Sequence, residues 1–230
     1  MGSKRRVAKH ILQIMLKERK PGQYWVEPFV GGANMIDKVD GPRIGADIHP
    51  YLIHLLKAVQ SGWVPPTVVT EEMYKQAMQD MTSYAPHLTA FILFCCSFGG
   101  KWRGGYARIP KCGTNYARRG SSHLLKQSKS LSGIEFTNCD YRDIHLPPCS
   151  LIYCDPPYRG VTVYKGVCKF DSDLFWQWCR DKSAEGHTVF VSEYNAPDDF
   201  VCIAEVDIIS TLARNGKIKS KEKLFTLRRR

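Results

Sequence analysis

The chain has 230 residues, 43% of them hydrophobic and 11% aromatic, with a formal net charge of +11 and nine cysteines. These values exclude a disordered or collagen-like chain and fit one α/β domain carrying an insertion. No apolar run approaches the ~18–20 residues of a membrane span, and no C-x-x-C pair or His at ligand spacing points to a metal, so a cytosolic or nuclear protein with free thiols is expected.

In chain order, residues 4–19 read as a helix, with Val7, Ile11, Leu12, Met15 and Leu16 on one face and Pro21-Gly22 ending it. Tyr24-Trp25-Val26 is a short buried strand running into Glu27-Pro28-Phe29-Val30-Gly31-Gly32, and residues 33–39 can start a helix. A second strand at residues 43–46 ends at Asp47, and a helix follows through Leu52, Leu55, Leu56 and Val59. This order is the front half of a nucleotide-binding α/β unit. Residues 62–133 break the rhythm, with a helix over 71–81, an apolar segment over 88–96 and a glycine- and aromatic-rich loop over 97–106. They read as an insertion within a domain made of residues 1–61 and 134–230. Further strands are predicted at residues 150–154, 188–192 and 201–207, a helix at 175–182, and a frayed tail at 228–230.

The sharpest chemical signal is Asp155-Pro156-Pro157-Tyr158 directly after a buried strand. Neither proline can extend a central strand, so the chain must stop at the sheet edge where α/β proteins place ligands. An aromatic amine is a poor nucleophile because its lone pair is delocalised into the ring. Two acceptors against its hydrogens, the Asp155 carboxylate and the Pro156 carbonyl, favour a pyramidal, reactive nitrogen. Tyr158 offers a face on which a flipped base can stack. A simple strand-ending turn is the alternative. The glycine loop permits close backbone approach to a ligand, and Asp47 stands where an acid typically binds ribose hydroxyls or caps a helix.

Together these motifs resemble the Dam-like DNA adenine methyltransferases over nearly the whole chain. The resemblance implies a Rossmann-like S-adenosylmethionine-dependent methyltransferase fold with a small DNA-recognition insertion, and transfer of a methyl group to the 6-amino group of adenine. Asp155, Pro156, Pro157 and Tyr158 would form the catalytic motif. Lys4 in a trimmed N-terminal segment, Glu27, Pro28, Phe29, Gly31, Gly32, Asn34, Asp47, Asp140, Tyr141, Asp155 and Phe170 would hold S-adenosylmethionine. A cytoplasmic protein of bacterial or phage origin is then expected, with no metal. The N-terminal segment lacks the family's second glycine and upstream lysine, and the insertion is short.

Residues 81–134 contain no Asp or Glu but eight Lys or Arg, a bias that suits a polyanion. Lys101, Trp102, Arg103, Tyr106, Arg108, Lys111, Tyr116, Arg118 and Arg119 are candidate contacts to double-stranded DNA, with a second basic block over residues 214–230. A nicotinamide oxidoreductase is disfavoured by the missing G-x-G-x-x-G. A non-enzymatic nucleic-acid-binding protein leaves Asp155–Tyr158 without a use. Methyl transfer to RNA, to protein glutamine or to the cytosine 4-amino group is the nearer alternative.

Overall fold

The computed structural model describes residue 4 and residues 7–108, 113, 115–157, 170–210 and 218–228. Its strands form one seven-stranded sheet: β1 (Trp25–Glu27), β2 (Arg43–Asp47), β3 (Ile134–Asn138), β4 (Leu151–Cys154), β5 (Thr188–Glu193), β6 (Phe200–Ser210) and β7 (Ile218–Leu227), in the spatial order β3-β2-β1-β4-β5-β7-β6. Strands β1 to β5 are parallel, and β7 runs antiparallel between β5 and β6. The order reverses between β1 and β4, which is where such sheets bind ligands beyond their carboxyl ends. The Rossmann-like fold expected from the sequence is thus present, extended by an antiparallel strand.

The parallel strands are short continuous apolar runs because both of their faces are covered. Trp25, Leu151, Tyr153, Phe190 and Leu224 point to a face shared with α1 (Ala8–Met15), α2 (Pro50–Gln60), α3 (Glu71–Gln79), α4 (Pro86–Ala90) and α5 (Tyr116–Leu131). Val26, Ile152, Cys154, Val189, Val191 and Phe225 point to the other, against Phe175, Trp176, Trp178 and Cys179 of α6 (Ser172–Ala184). The helices of residues 62–133 therefore share one continuous core with the sheet.

Several elements differ from the expectations. Helix α1 stops at Met15, because Arg19 fastens the following turn by donating to the carbonyls of Gln23, Asp40 and Pro42. Residues 33–39 make only a 3-10 turn at Ile36–Lys38, since Ala33 takes φ 54° and interrupts a helical start. The apolar segment around residue 90 is α4 running into a π turn over Phe91–Cys95. Helix α5 and strand β7 were not expected. Asn115 caps α5 by accepting the Arg118 amide at 2.9 Å, and Gly120 lets it cross the π turn closely: a Cβ there would lie 2.9 Å from Cys95 Cβ. Strand β7 replaces most of the second basic block, with Leu224 and Phe225 buried.

Candidate active site

Four of the five parallel strands, β1 to β4, deliver candidate residues to the same sheet edge. After β1, the Val30 amide donates to Ala46 O (2.7 Å) and the Gly31 amide to Asp47 Oδ2 (3.1 Å). The other Asp47 oxygen accepts the His49 amide at 2.9 Å, ahead of α2. Asp47 thus frames the glycine loop and the turn into α2, whose N-cap is His49 without a side-chain capping bond, and its burial pushes the carboxyl up to about 6 despite those two donated bonds. Gly31 sits at φ 49°, and a Cβ on it would meet nothing within 4 Å, so the loop faces open space. Gly45 is needed for the opposite reason: a Cβ there would lie 2.9 Å from Val30 Cγ2. Gly32 is half-buried, as is Asn34, whose carbonyl accepts Lys38 Nζ at 2.6 Å.

Beside this loop three predicted side chains come together. The rings of Phe29 and Tyr141 lie 5.3 Å apart, Phe29 and Phe170 5.9 Å, and Tyr141 and Phe170 6.0 Å, backed by Phe175. Asp140, next to Tyr141, accepts Arg142 Nε at 2.7 Å and Nη2 at 3.1 Å, and that guanidinium holds its carboxyl below the usual range. Glu27 and Pro28 are buried. Glu27 accepts the Trp25 indole at 2.8 Å, yet burial raises its carboxyl well above the carboxylate range.

Strand β4 ends at Cys154, and Asp155-Pro156-Pro157 leaves it at this edge, with Pro156 buried and Asp155 part-buried. Tyr158 lies outside the described residues, as does Lys111. Lys4, expected on the cofactor, instead reaches Asp155: its Nζ lies 3.1 Å from Asp155 Oδ1 and pairs with Glu222 of β7. Glu222 was missed as a site residue; its one trace in the sequence is that it is the lone acid of a basic block, between Lys221 and Lys223. Gln127 of α5 was also missed. Its Nε2 donates to Gly32 O (2.9 Å), Ala33 O (3.0 Å) and Asp37 Oδ2 (3.1 Å), tying the insertion to the glycine loop.

Four candidate DNA contacts have partners within the fold. Trp102 packs on His49 (4.4 Å), Phe94 (4.7 Å) and Tyr51 (5.3 Å). Arg103 donates to Met78 O at the end of α3, Tyr106 donates to Val69 O, and Arg108 makes a two-pronged pair with Glu71. Lys101, Arg118 and Arg119 are exposed, and Tyr116 lies under Arg119 (5.5 Å). Arg118, Ser122, Lys126 and Lys129 line a groove of about 600 Å³ on the outer side of α5. The described cysteines are all free thiols. Among the described residues no group of three or more His, Cys, Asp or Glu could hold a metal ion, and no helix is long and apolar enough to cross a membrane.

With the glycine loop, Asp47 and the first insertion helices described, the front of the chain has a counterpart among known families. Residues 1–92 match the D12 class N6 adenine-specific DNA methyltransferase family. The resemblance read from the sequence is borne out over this segment. No curated protein matches the chain significantly. Two solved structures overlay weakly, each at 11% identity. The protein SMU.472, described as a methyltransferase complexed with SAH, gives a TM-score of 0.35 over 98% of this chain and 53% of its own. A protein of Listeria monocytogenes, described as a class I S-adenosylmethionine-dependent methyltransferase, gives 0.38 over 96% and 58%. The chain thus spans little more than half the length of either. Overlays at this level carry no argument, and the fold rests on the strand order itself.

Proposed function

We propose that the chain is a site-specific DNA methyltransferase acting on the exocyclic 6-amino group of adenine. The observation that carries this reading is that Asp155-Pro156-Pro157 leaves β4 at the sheet edge that also holds the glycine loop and Asp47. The D12 match over residues 1–92 supports it. The donor set suits S-adenosylmethionine: the Phe29, Tyr141 and Phe170 rings for a purine, Asp47 for ribose hydroxyls, and the open side of Gly31 for close approach. That group, when bound, supplies a methyl already activated on a sulfonium. Asp155 and the Pro156 carbonyl would accept the hydrogens of the target amine and aim its lone pair at that methyl; the nitrogen–carbon bond would form as the methyl–sulfur bond breaks, leaving a thioether, and the nitrogen would then give its proton to Asp155 or water.

Residues 62–133 serve as the recognition insertion. The outer face of α5, with Arg118, Lys126 and Lys129 along its groove, suits duplex phosphates; the hydroxyl of Ser122 adds a donor. Such contacts position the protein without reading sequence. Because α5 takes 16 residues of the segment expected to read bases, recognition is short, about four base pairs or fewer, since each good base contact contributes ~1–3 kcal/mol. A cytoplasmic location follows from a DNA substrate. The test is incubation of the full chain with labelled S-adenosylmethionine and duplex DNA, then nucleoside mass spectrometry and methylation-aware sequencing. N6-methyladenine in a short motif is expected. Label in cytosine, RNA or protein instead overturns the substrate, and a strict motif of six or more bases overturns the short site.

A further inference from the structure

Beneath the proposed catalytic edge, ionisable side chains from both ends of the described chain meet one from its middle. Lys4 Nζ lies 3.1 Å from Asp155 Oδ1 and forms an ion pair with Glu222. Lys4 is 8% exposed and Glu222 4%. On β7 the exposed Lys221 and half-exposed Lys223 alternate with the buried Glu222 and Leu224, so Glu222 occupies a position where a strand of this kind normally carries an apolar residue. Burying a carboxylate there costs several kcal/mol unless a cation meets it. Lys4 is that cation, and it also touches Asp155.

The arrangement has a consequence for the reaction proposed above, on which it rests. While the target nitrogen forms its bond to the methyl carbon it becomes positive, until its proton departs. A carboxylate favours that charge, and an ammonium beside the carboxylate opposes it by an interaction of comparable size. Lys4 and Asp155 alone would sum to zero. With Glu222 the trio sums to −1, and Asp155 keeps the net negative charge that its role requires. The neighbouring Glu27, whose carboxyl burial pushes well above the carboxylate range, contributes no cation to this balance, and buried Tyr153, whose hydroxyl lies 2.8 Å from Ser192 Oγ, stays a neutral phenol.

We propose that Glu222 is a positioning residue for methyl transfer, holding and neutralising Lys4 so that Asp155 presents a net negative charge to the target amine. The test compares wild type, Glu222→Gln and Lys4→Met/Glu222→Gln in single-turnover methylation of duplex DNA, beside a ligand-free measurement of Lys4 acetylation by peptide mass spectrometry. Glu222→Gln is expected to slow the methyl-transfer step about ten- to a hundredfold, the scale of losing one preorganised group or slightly less, with DNA affinity changed less than threefold. It should also speed Lys4 acetylation several-fold, since the amine loses an anion. The double variant should recover most of the lost rate, because removing the cation also leaves Asp155 as the surviving charge. A role in stability alone would give a double variant no better than the single one, and that result overturns the assignment. So does wild-type rate or unchanged Lys4 labelling in Glu222→Gln. If Glu222→Gln does not fold, the double variant decides: measurable transfer above half the wild-type rate supports the charge balance, and loss of transfer refutes it. A wild-type chain that methylates no adenine refutes the function itself, and is told apart by that arm.

Discussion

Two carboxylates stand at the same sheet edge and are held in opposite ways. Asp47 is built from its neighbours: both of its oxygens accept backbone amides, from Gly31 and from His49 two residues on. Asp155 is held by side chains remote in sequence, Lys4 directly and Glu222 through it, the latter two 218 positions apart. Local backbone bonding fixes a shape with little cost in chain entropy, whereas a cross-fold ion network exists only once the sheet has closed. The first arrangement suits a site that must receive a ligand in a fixed frame. The second suits a group whose charge has to be set.

The comparison is broken most directly at Asp155. Asp155→Ala should lower methyl transfer by at least a hundredfold, since the contact strengthens as the amine nitrogen becomes positive. S-adenosylmethionine binding, measured by calorimetry, should change by less than about threefold, because the cofactor frame is held at Asp47 and the aromatic rings. A comparable loss in both would place Asp155 on the cofactor rather than on the amine.

The next effect belongs to Asp47. Its carboxyl titrates at about 6 in the fold against a usual 3.8, so the native state holds its proton to higher pH than the unfolded chain. Its contribution to stability is therefore greatest below pH 4, declines as pH rises through about 6, and is constant above. The full span corresponds to about 2–3 kcal/mol. Other carboxylates, Asp140 and Asp199 among them, are held low and titrate with the opposite sign. The difference between wild type and Asp47→Asn in urea unfolding isolates this one: the variant should gain on wild type between pH 4 and 7. An equal pH dependence in the two proteins would remove the buried-carboxyl reading. Separately, Asp47→Ala should weaken S-adenosylmethionine binding by about 1–3 kcal/mol at neutral pH; unchanged affinity would refute the ribose assignment.

The same contrast decides what was legible in the sequence. The strands β1, β2 and β4, the glycine loop, Asp47 and Asp155 are local patterns, an apolar run ending in a glycine, an acid or a proline, and they stand where they were expected. Strand β7 was hidden because its inward positions include Glu222, and a charge there breaks the apolar alternation that identifies a strand. Its lysines then read as a basic tail. Helix α5 was hidden because its buried face is Ala117, Ser121, Leu124, Gln127 and Leu131, mostly small or polar, with Gly120 in its interior. Those residues are explained by what they touch: Ser121 donates to Pro65 O, and Gly120 admits the π turn. The insertion's aromatics could be read from sequence either as wedges at a flipped base or as packing groups. In a loop of glycine and bases the two readings of Trp102 and Tyr106 look alike, and in the fold both side chains pack against the core.

Helix α5 offers an intermediate test of contact-built structure. Gly120→Ala would place a methyl 2.9 Å from Cys95 Cβ and 3.3 Å from Phe91 Cε2. Helix propensity favours alanine by about 1 kcal/mol, and overpacking opposes it by about 1–3 kcal/mol. The balance should be a destabilisation of about 0–2 kcal/mol in denaturant unfolding. A stabilised variant would mean that α5 is not pressed against the π turn.

The smallest effect is expected where the two modes of construction meet, at Gln127. Its amide reaches from α5 to the glycine loop, so a remote residue touches the locally built frame. The group has two N–H hydrogens and faces three acceptors, Gly32 O, Ala33 O and Asp37 Oδ2, so at least one bond is shared. Its Oε1 is buried and has no hydrogen-bond partner among the described residues, and turning the amide over would set that oxygen against two carbonyls. The gain from the donated bonds is therefore offset by a stranded acceptor, a cost of about 1–3 kcal/mol. Gln127→Leu keeps the volume, removes both terms and leaves the loop carbonyls without their donor. The expected loss is about 1 kcal/mol of stability, and S-adenosylmethionine affinity should fall less than about threefold, because Asp47 and Ala46 still hold the loop from the other side. If the affinity fell tenfold with stability unchanged, the glycine loop would depend on α5 for its shape. The frame around Asp47 would then be no more local than the one around Asp155.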